Sequence, residues 1–413
     1  MRGSRDSAAR WLAGVLVVAG LLGAAWFFSL NEAIVSKPGR RLAHAAGAGF
    51  HSATEVSEPL PKVTDTPHAP AGAKADECGA WQSLRDWAVP ALLRQADVQA
   101  EAKESMHAAL MELRAMPDER SRALSASLGY RFEGFDPTVV KPSNEALTPE
   151  QKAANKAVAV GQYSGHARRL VDLAANSTDA VIYATAYLHC DRAAWMNEQA
   201  KTSCARLSAA QWARIDPDNA APWMHQAQTA AGAGDHAAVA EAFFRVSQVR
   251  RNTDHQRVAA QALLANLPEN TSEEAVVVIG DLFVGGDAAV PARGYEVLTS
   301  HCSAARLAFL GGDANRRQTC SDVADVLSQR GMSLFDLGTA ISLAKNGAWS
   351  VEKLALAQSQ FDELMRVAQS QIVGDSSSCQ GSKRAADYRR DWVALGEVQA
   401  LRQRVVNTTS ATR

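Results

Sequence analysis

Runs of like charge are missing from this sequence. Lys and Arg number 43 against 44 Asp and Glu, a net charge of −1 over 413 residues. Basic residues cluster no further than pairs such as Arg168-Arg169, Arg250-Arg251 and Arg389-Arg390. A nucleic-acid binder needs a basic stripe or patch to release counterions from phosphates, so no nucleic-acid partner is expected. The motifs of catalysis are missing as well. There is no G-x-x-x-x-G-K-[ST], H-E-x-x-H, C-x-x-C, G-x-S-x-G or EF-hand loop, the patterns that cradle phosphate, hold metal, run dithiol chemistry or present a nucleophile. Aromatic residues make up only 6% of the chain. β-Branched residues are sparse, which disfavours strands. Long hydrophobic runs are absent with one exception.

That exception is Trp11 to Leu30, WLAGVLVVAGLLGAAWFFSL, without a charged side chain. Twenty residues at about 1.5 Å rise span about 30 Å, the hydrocarbon thickness of a bilayer. Trp11 and Trp26 sit near its ends, where amphipathic rings favour the membrane interface. A cleaved signal peptide is the competing reading, with Gly23-Ala24-Ala25 as the small-residue site. The apolar run continues past that site through Trp26-Phe27-Phe28, which favours an uncleaved anchor. Flanking charge barely orients the span: Arg2, Arg5 and Arg10 precede it, and Lys37, Arg40 and Arg41 follow. The cysteines decide. All six lie beyond the span, an even number suited to an oxidising compartment. The expected topology is a cytoplasmic tail over 1–10, a transmembrane helix over 11–30 in contact with lipid, and the remainder outside. In a bacterium that means a single-pass inner-membrane protein with a periplasmic domain.

Residues 31–77 carry five of the fourteen prolines (Pro38, Pro59, Pro61, Pro67, Pro70) without helical periodicity. They are expected to form a flexible linker. From 78 to 406 the sequence turns to good helix formers, Ala, Leu, Gln, Glu and Arg. An all-α soluble domain is expected there, with a short tail over 407–413. Thr148-Pro149-Glu150-Gln151 has the pattern of a capping box with Pro at the first helical position. Thr271-Ser272-Glu273-Glu274 repeats that logic ahead of Ala275–Ile279, which predicts a helix although AVVVI also suits a buried strand. Met106, Leu110 and Leu113 mark one amphipathic helix entered after Pro90. Val351, Leu354, Ala357, Phe361, Leu364, Met365, Ala368 and Ile372 mark another. Tyr388, Trp392, Leu395, Val398, Leu401 and Val405 mark a last one, preceded by a loop over 374–381 that holds Cys379. Such stripes need one another, which predicts a bundle or stacked hairpins.

Residues 218–251 resemble a tetratricopeptide repeat. Counting Ala220 as position one, Trp223 and Ala227 occupy the repeat's Trp and small-residue positions. Gly234-Asp235 falls at the inter-helix turn and Phe243 at the aromatic packing position. One period earlier, Pro217 and Ala205 fit the same frame, so the resemblance covers about 186–251. Gln226, Ala230 and Val239 depart from it, standing where Leu, Tyr and Ala are usual. The resemblance implies a helical hairpin anchored by Trp223 and a scaffold presenting a grooved surface to a protein or peptide partner.

In that register Cys190 and Cys204 lie on facing helices at similar distances from the turn. A Cys190–Cys204 disulfide is expected on that ground, with Cys302–Cys320 by analogy and Cys78–Cys379 left over. Ser208-x-x-Gln211 competes with this register, since it also reads as a capping box opening a new helix. His189-Cys190 and His301-Cys302 echo one another, which is compatible with an old duplication. As zinc ligands they are badly spaced, because neighbouring side chains on a helix diverge by about 100°. Disulfides and surface histidines are expected instead, with no metal and no cofactor. Asp216 and Asp218 around Pro217 read as a cap and turn. His225 and His236 read as surface or capping groups, and Trp195, Trp212 and Trp223 as core. No catalytic residue is assigned. The leading reading is a membrane-anchored domain binding a protein or peptide. An all-α enzyme with dispersed site residues and a structural spacer are the alternatives.

Overall fold

The computed structural model describes residues 96–133, 148–191, 196–253, 255–288, 294–309, 314–373 and 379–411. The apolar segment 11–30, the linker 31–77, Cys78 and Trp195 lie outside them. No helix of the described residues is long and apolar enough to cross a membrane. Their regular structure is helical throughout, with one isolated bridge, Asn219 to Arg251.

The helices are α1 (Ala96–Ala115), α2 (Glu119–Glu133), α3 (Pro149–Ala174), α4 (Ala180–Cys190), α5 (Glu198–Cys204), α6 (Ala209–Ile215), α7 (Ala220–Gly232), α8 (His236–Gln248), α9 (Gln256–Ala265) and α10 (Glu273–Ala288). After these come α11 (Tyr295–His301), α12 (Ala304–Phe309), α13 (Ala314–Arg330), α14 (Leu334–Leu343), α15 (Val351–Val373), α16 (Cys379–Leu395) and α17 (Glu397–Ala411). A π-turn, Ala344–Ala348, continues α14.

Local sequence explains most starts. Thr148 caps α3 with the reciprocal Gln151 contact of a capping box. Asn219 and Asp235 cap the two helices of the 220–248 hairpin, and Gly234 makes its turn at φ +73°. The first turn of α10 is built differently from the sequence pattern. Ser272, not Thr271, accepts the Ala275 amide, and the reciprocal carboxylate comes from Glu101 of α1, which accepts from the Ser272 amide and hydroxyl at 2.7 Å each. Ala275–Ile279 is helical and wholly buried.

Packing unites these elements in several adjoining cores. Met224, Phe243, Leu298, Leu327 and Leu343 join α7, α8, α11, α13 and α14. Met106, Leu110, Leu113, Leu263, Ile279 and Val393 join α1, α9, α10 and α16. Leu170, Ile182, Tyr183 and Trp212 fill a third. Gly280 lets the buried Arg389 stem cross α10, since a Cβ there would sit 2.7 Å from Arg389 Cβ, and the Arg389 Nε then donates to Asp281 at 2.5 Å.

Three helix expectations need correcting. The last amphipathic stripe belongs to two helices, because Gly396 adopts φ +90° between α16 and α17. Tyr388, Trp392, Val398, Leu401 and Val405 still reach one core, since the two helices pack on α15 together, while Leu395 is exposed. Helix α16 already begins at Cys379, so the expected loop ends before it; 374–378 lie outside the described residues. The stripe on α15 is buried only from its middle onward. Val351 is 79% exposed and Leu354 and Ala357 are half-buried, whereas Leu364 and Ala368 are buried, because α14 and α17 cover the later turns.

Candidate functional site

The two cysteine pairs locate the first features singled out from sequence. Cys190 bonds Cys204 with Cα atoms 5.4 Å apart, and Cys302 bonds Cys320 at 5.8 Å, both inside the range a disulfide spans. The register that led to the first pair is different, however. Residues 186–219 do not form one two-helix repeat. Cys190 ends α4, Cys204 ends the short α5, and Ser208 opens α6 by accepting the Gln211 amide. The cap at Ser208 prevails because it satisfies an amide that a continuous helix would otherwise have to bond elsewhere. The Cys78–Cys379 pairing lies outside the described residues and side chains.

The histidines are more buried than expected. His189 is 8% exposed and stacks on Tyr163 at 4.1 Å, and His301 tilts against Phe243 at 5.1 Å. His225 joins an aromatic cluster with Tyr187 and the fully buried Trp212. His236, by contrast, is exposed at the start of α8. Trp223 is half-buried: it packs against the hairpin core, donates from Nε1 to the Pro217 carbonyl at 3.0 Å, and lies 6.0 Å below the Arg245 guanidinium.

Asp216 proves to be the centre of a polar knot at the open end of the α7–α8 hairpin. It is completely buried. Its carboxylate accepts from Asn219 Nδ2 at 2.7 Å, from the Arg251 guanidinium, and pairs with His255 Nε2 at 2.9 Å. Asn219 also donates to the Thr253 carbonyl and accepts the Thr253 amide. His255 holds φ +63° to complete this geometry, a conformation L-residues rarely adopt. Burial alone would raise the Asp216 pKa. The hydrogen bonds from His255 and Asn219 and the charges of Arg251 and His255 outweigh it and hold the carboxyl below its ordinary range. A buried carboxylate beside an imidazole resembles half of a hydrolytic triad. Here both oxygens serve to tie residues 250–255 to the hairpin's entry.

A cleft of about 410 Å³ lies between α9, the α9–α10 turn, α10 and α16. Leu264, Leu267, Pro268, Val276 and Val393 supply its apolar surface, with Gln261, Glu269, Thr271 and Arg390 among them. One wall is held by cross-helix bonds. Gln261 donates to the Val393 and Ala394 carbonyls at 2.9 and 3.1 Å, and Arg257 reaches those of Trp392 and Val393. These side chains satisfy the last carbonyls of α16, where the helix dipole favours a donor or a cation. At the rim Arg390 pairs with Glu273 at 2.8 Å and with Asp387 at 3.4 Å. Glu269 is exposed beside them. Two carboxylates therefore pair with one guanidinium, and Glu269 adds a third acidic group at the cleft. Among the described residues no group of His, Cys, Asp and Glu is arranged to hold a metal ion.

No protein-family model, curated protein or solved structure matches this chain. Sequence reading missed both the knot and the cleft. The local signal for the cleft was Leu267-Pro268-Glu269-Asn270, a turn between the two apolar helices α9 and α10.

Proposed function

We propose that this chain is a membrane-anchored, extracytoplasmic helical scaffold that takes a short apolar, Lys- or Arg-flanked segment of a protein partner into the α9–α10–α16 cleft. One observation carries the reading: a cleft whose surface is mainly aliphatic and whose rim is acidic. Clefts of about 300–1,000 Å³ suit a few side chains rather than a folded face, and aliphatic side chains in one recover hydrophobic free energy at about 25 cal/mol per Å². The acidic rim favours a cationic flank and speeds its encounter at low salt. The hairpins supply the rigid frame, as they would in a tetratricopeptide-like scaffold.

A peptide array probed with the full chain tests it. Bound peptides should be aliphatic with basic flanks. Ala394 is exposed at the cleft, so Ala394→Trp fills the space without disturbing the core. Binding of the selected peptides should then weaken at least about tenfold, a loss of about 1.4 kcal/mol. Acidic hits, or binding indifferent to Ala394→Trp, would reject the cleft. Topology is tested separately by fusing alkaline phosphatase after Ser36, an enzyme that folds only when exported. The fusion should be active in a bacterial host. An inactive one, with an active cytoplasmic reporter at the same site, reverses the orientation.

A further inference from the structure

At the foot of the cleft wall, α16 ends and the chain restarts as α17 across Gly396. This joint is packed directly on the turn that opens α14. A Cβ at Gly396 would meet the Met332 methyl at 2.8 Å, and Val398 donates its amide to the Met332 carbonyl at 3.3 Å. Two carboxylates share the amides of that turn. Asp336 accepts from Met332 at 2.8 Å and Ser333 at 3.0 Å, and its other oxygen takes the Tyr295 hydroxyl. Glu397 accepts the next amide, Leu334, at 2.7 Å. Three successive N–H groups at one helix start are thus divided between two acids from different helices.

We infer that Glu397 and Asp336 form a pH-sensitive clasp between the α14 turn and the α16–α17 joint, closed while Glu397 holds its proton and loosened when it ionises.

The charges around the pair support this. Asp336 is buried and accepts from three donors, Met332, Ser333 and Tyr295. Ionising Glu397 would put a second carboxylate charge on the same turn. Burial pushes the Glu397 carboxyl up to about 7; the Leu334 amide opposes the rise, and the charge of Asp336 adds to it. From α16, Tyr388 is held above its ordinary range by its own burial and then by Glu397, against the pull of Arg389 and Arg404. The two cations that face the region are engaged elsewhere. Arg389 pairs with Asp281, and Arg404 with Asp391 at 2.6 Å. Arg257 from α9 approaches the joint but donates to the α16 carbonyls. None of these is paired with Glu397.

The sign follows from linkage. The folded pKa lies above the ordinary value of 4.5, so the folded chain binds the extra proton between the two values. The stabilisation is complete below the ordinary value and is lost as pH rises through about 7. Because Val393 and Ala394 of the same helix line the cleft, loosening the joint frees the end of one cleft wall.

Hydrogen exchange of the full chain in detergent micelles tests the clasp, with rates corrected for the intrinsic pH dependence. Amides of residues 331–337 and 396–401 should lose protection together, about tenfold or more, between pH 5.5 and 8.5. Residues 236–248 serve as the reference and should not change. Glu397→Gln keeps an oxygen for the Leu334 amide and carries no charge, so its protection should be flat across that window. Asp336→Asn removes the neighbouring anion and should move the wild-type transition to lower pH. Flat protection in the wild type, or an unchanged slope in Glu397→Gln, overturns the clasp. Neither readout depends on whether the cleft binds a peptide.

Discussion

Asp216→Ala is expected to lower the unfolding free energy of the domain by about 3 kcal/mol, the range seen when a buried ionic or hydrogen-bonded group loses its partner. The reason lies in what is left behind. Asn219 is fully buried and His255 is 11% exposed on its side chain, so neither finds water easily once the carboxylate is gone. Arg251 is half in solvent and loses less. The bridge between Asn219 and Arg251 and the unusual backbone at His255 are both held by the same carboxylate, so the hairpin's base should fray first. Asp216→Asn should cost less, since an amide oxygen still accepts one of the three donors. The carboxyl is held below its ordinary value of 3.8, so its contribution is present above that value and drains away as pH falls below it. Urea unfolding of the full chain at pH 7 and pH 3 measures both effects. A midpoint for Asp216→Ala unchanged at pH 7 would show that the knot contributes nothing.

Removing the disulfides should have an effect of similar size. Loops closed over 14 and 18 residues correspond to about 3 kcal/mol each in the chain-entropy account. The two are not equivalent. Cys302 and Cys320 are both 1% exposed, inside the core shared by α7, α8, α11 and α13. Cys190 and Cys204 lie at helix ends and are only half-buried. Cys302→Ala with Cys320→Ala therefore loses core contacts as well as the cross-link and should be the less stable double variant. Non-reducing peptide mapping checks the pairing itself. A 190–302 link, or equal urea midpoints for wild type and both double variants, would contradict the assignment.

How much was legible in advance depended on distance along the chain. The Thr148 box, the Asn219 and Asp235 caps and the Gly234 turn all bond partners within about four residues, which is the reach of a helix turn. Helical stripes are legible for the same reason. Where a side chain's partner came from another helix, the same rules misled. Glu274 was expected to complete a capping box at the start of α10, but Glu101, 171 residues earlier, does so for Ser272. His189 and His225 looked like surface groups because nothing near them in sequence announced Tyr163 and Trp212 as ring partners.

The sequence by itself determined that the described part of this protein is helical, and where helices such as α3 start. Those outcomes follow from propensity, capping and hydrophobic period, all of them local. Only the tertiary structure decided that Gly396 splits the last amphipathic stripe, that Asp216 gathers Arg251 and His255 from 35 and 39 residues away, and that Glu397 reaches Leu334 across 63. It also decided the cleft, whose walls come from α9, α10 and α16. The physical reason is common to all four. A buried charge or an opened apolar surface is stabilised by groups brought alongside by packing, and a single sequence carries no record of which distant groups those are.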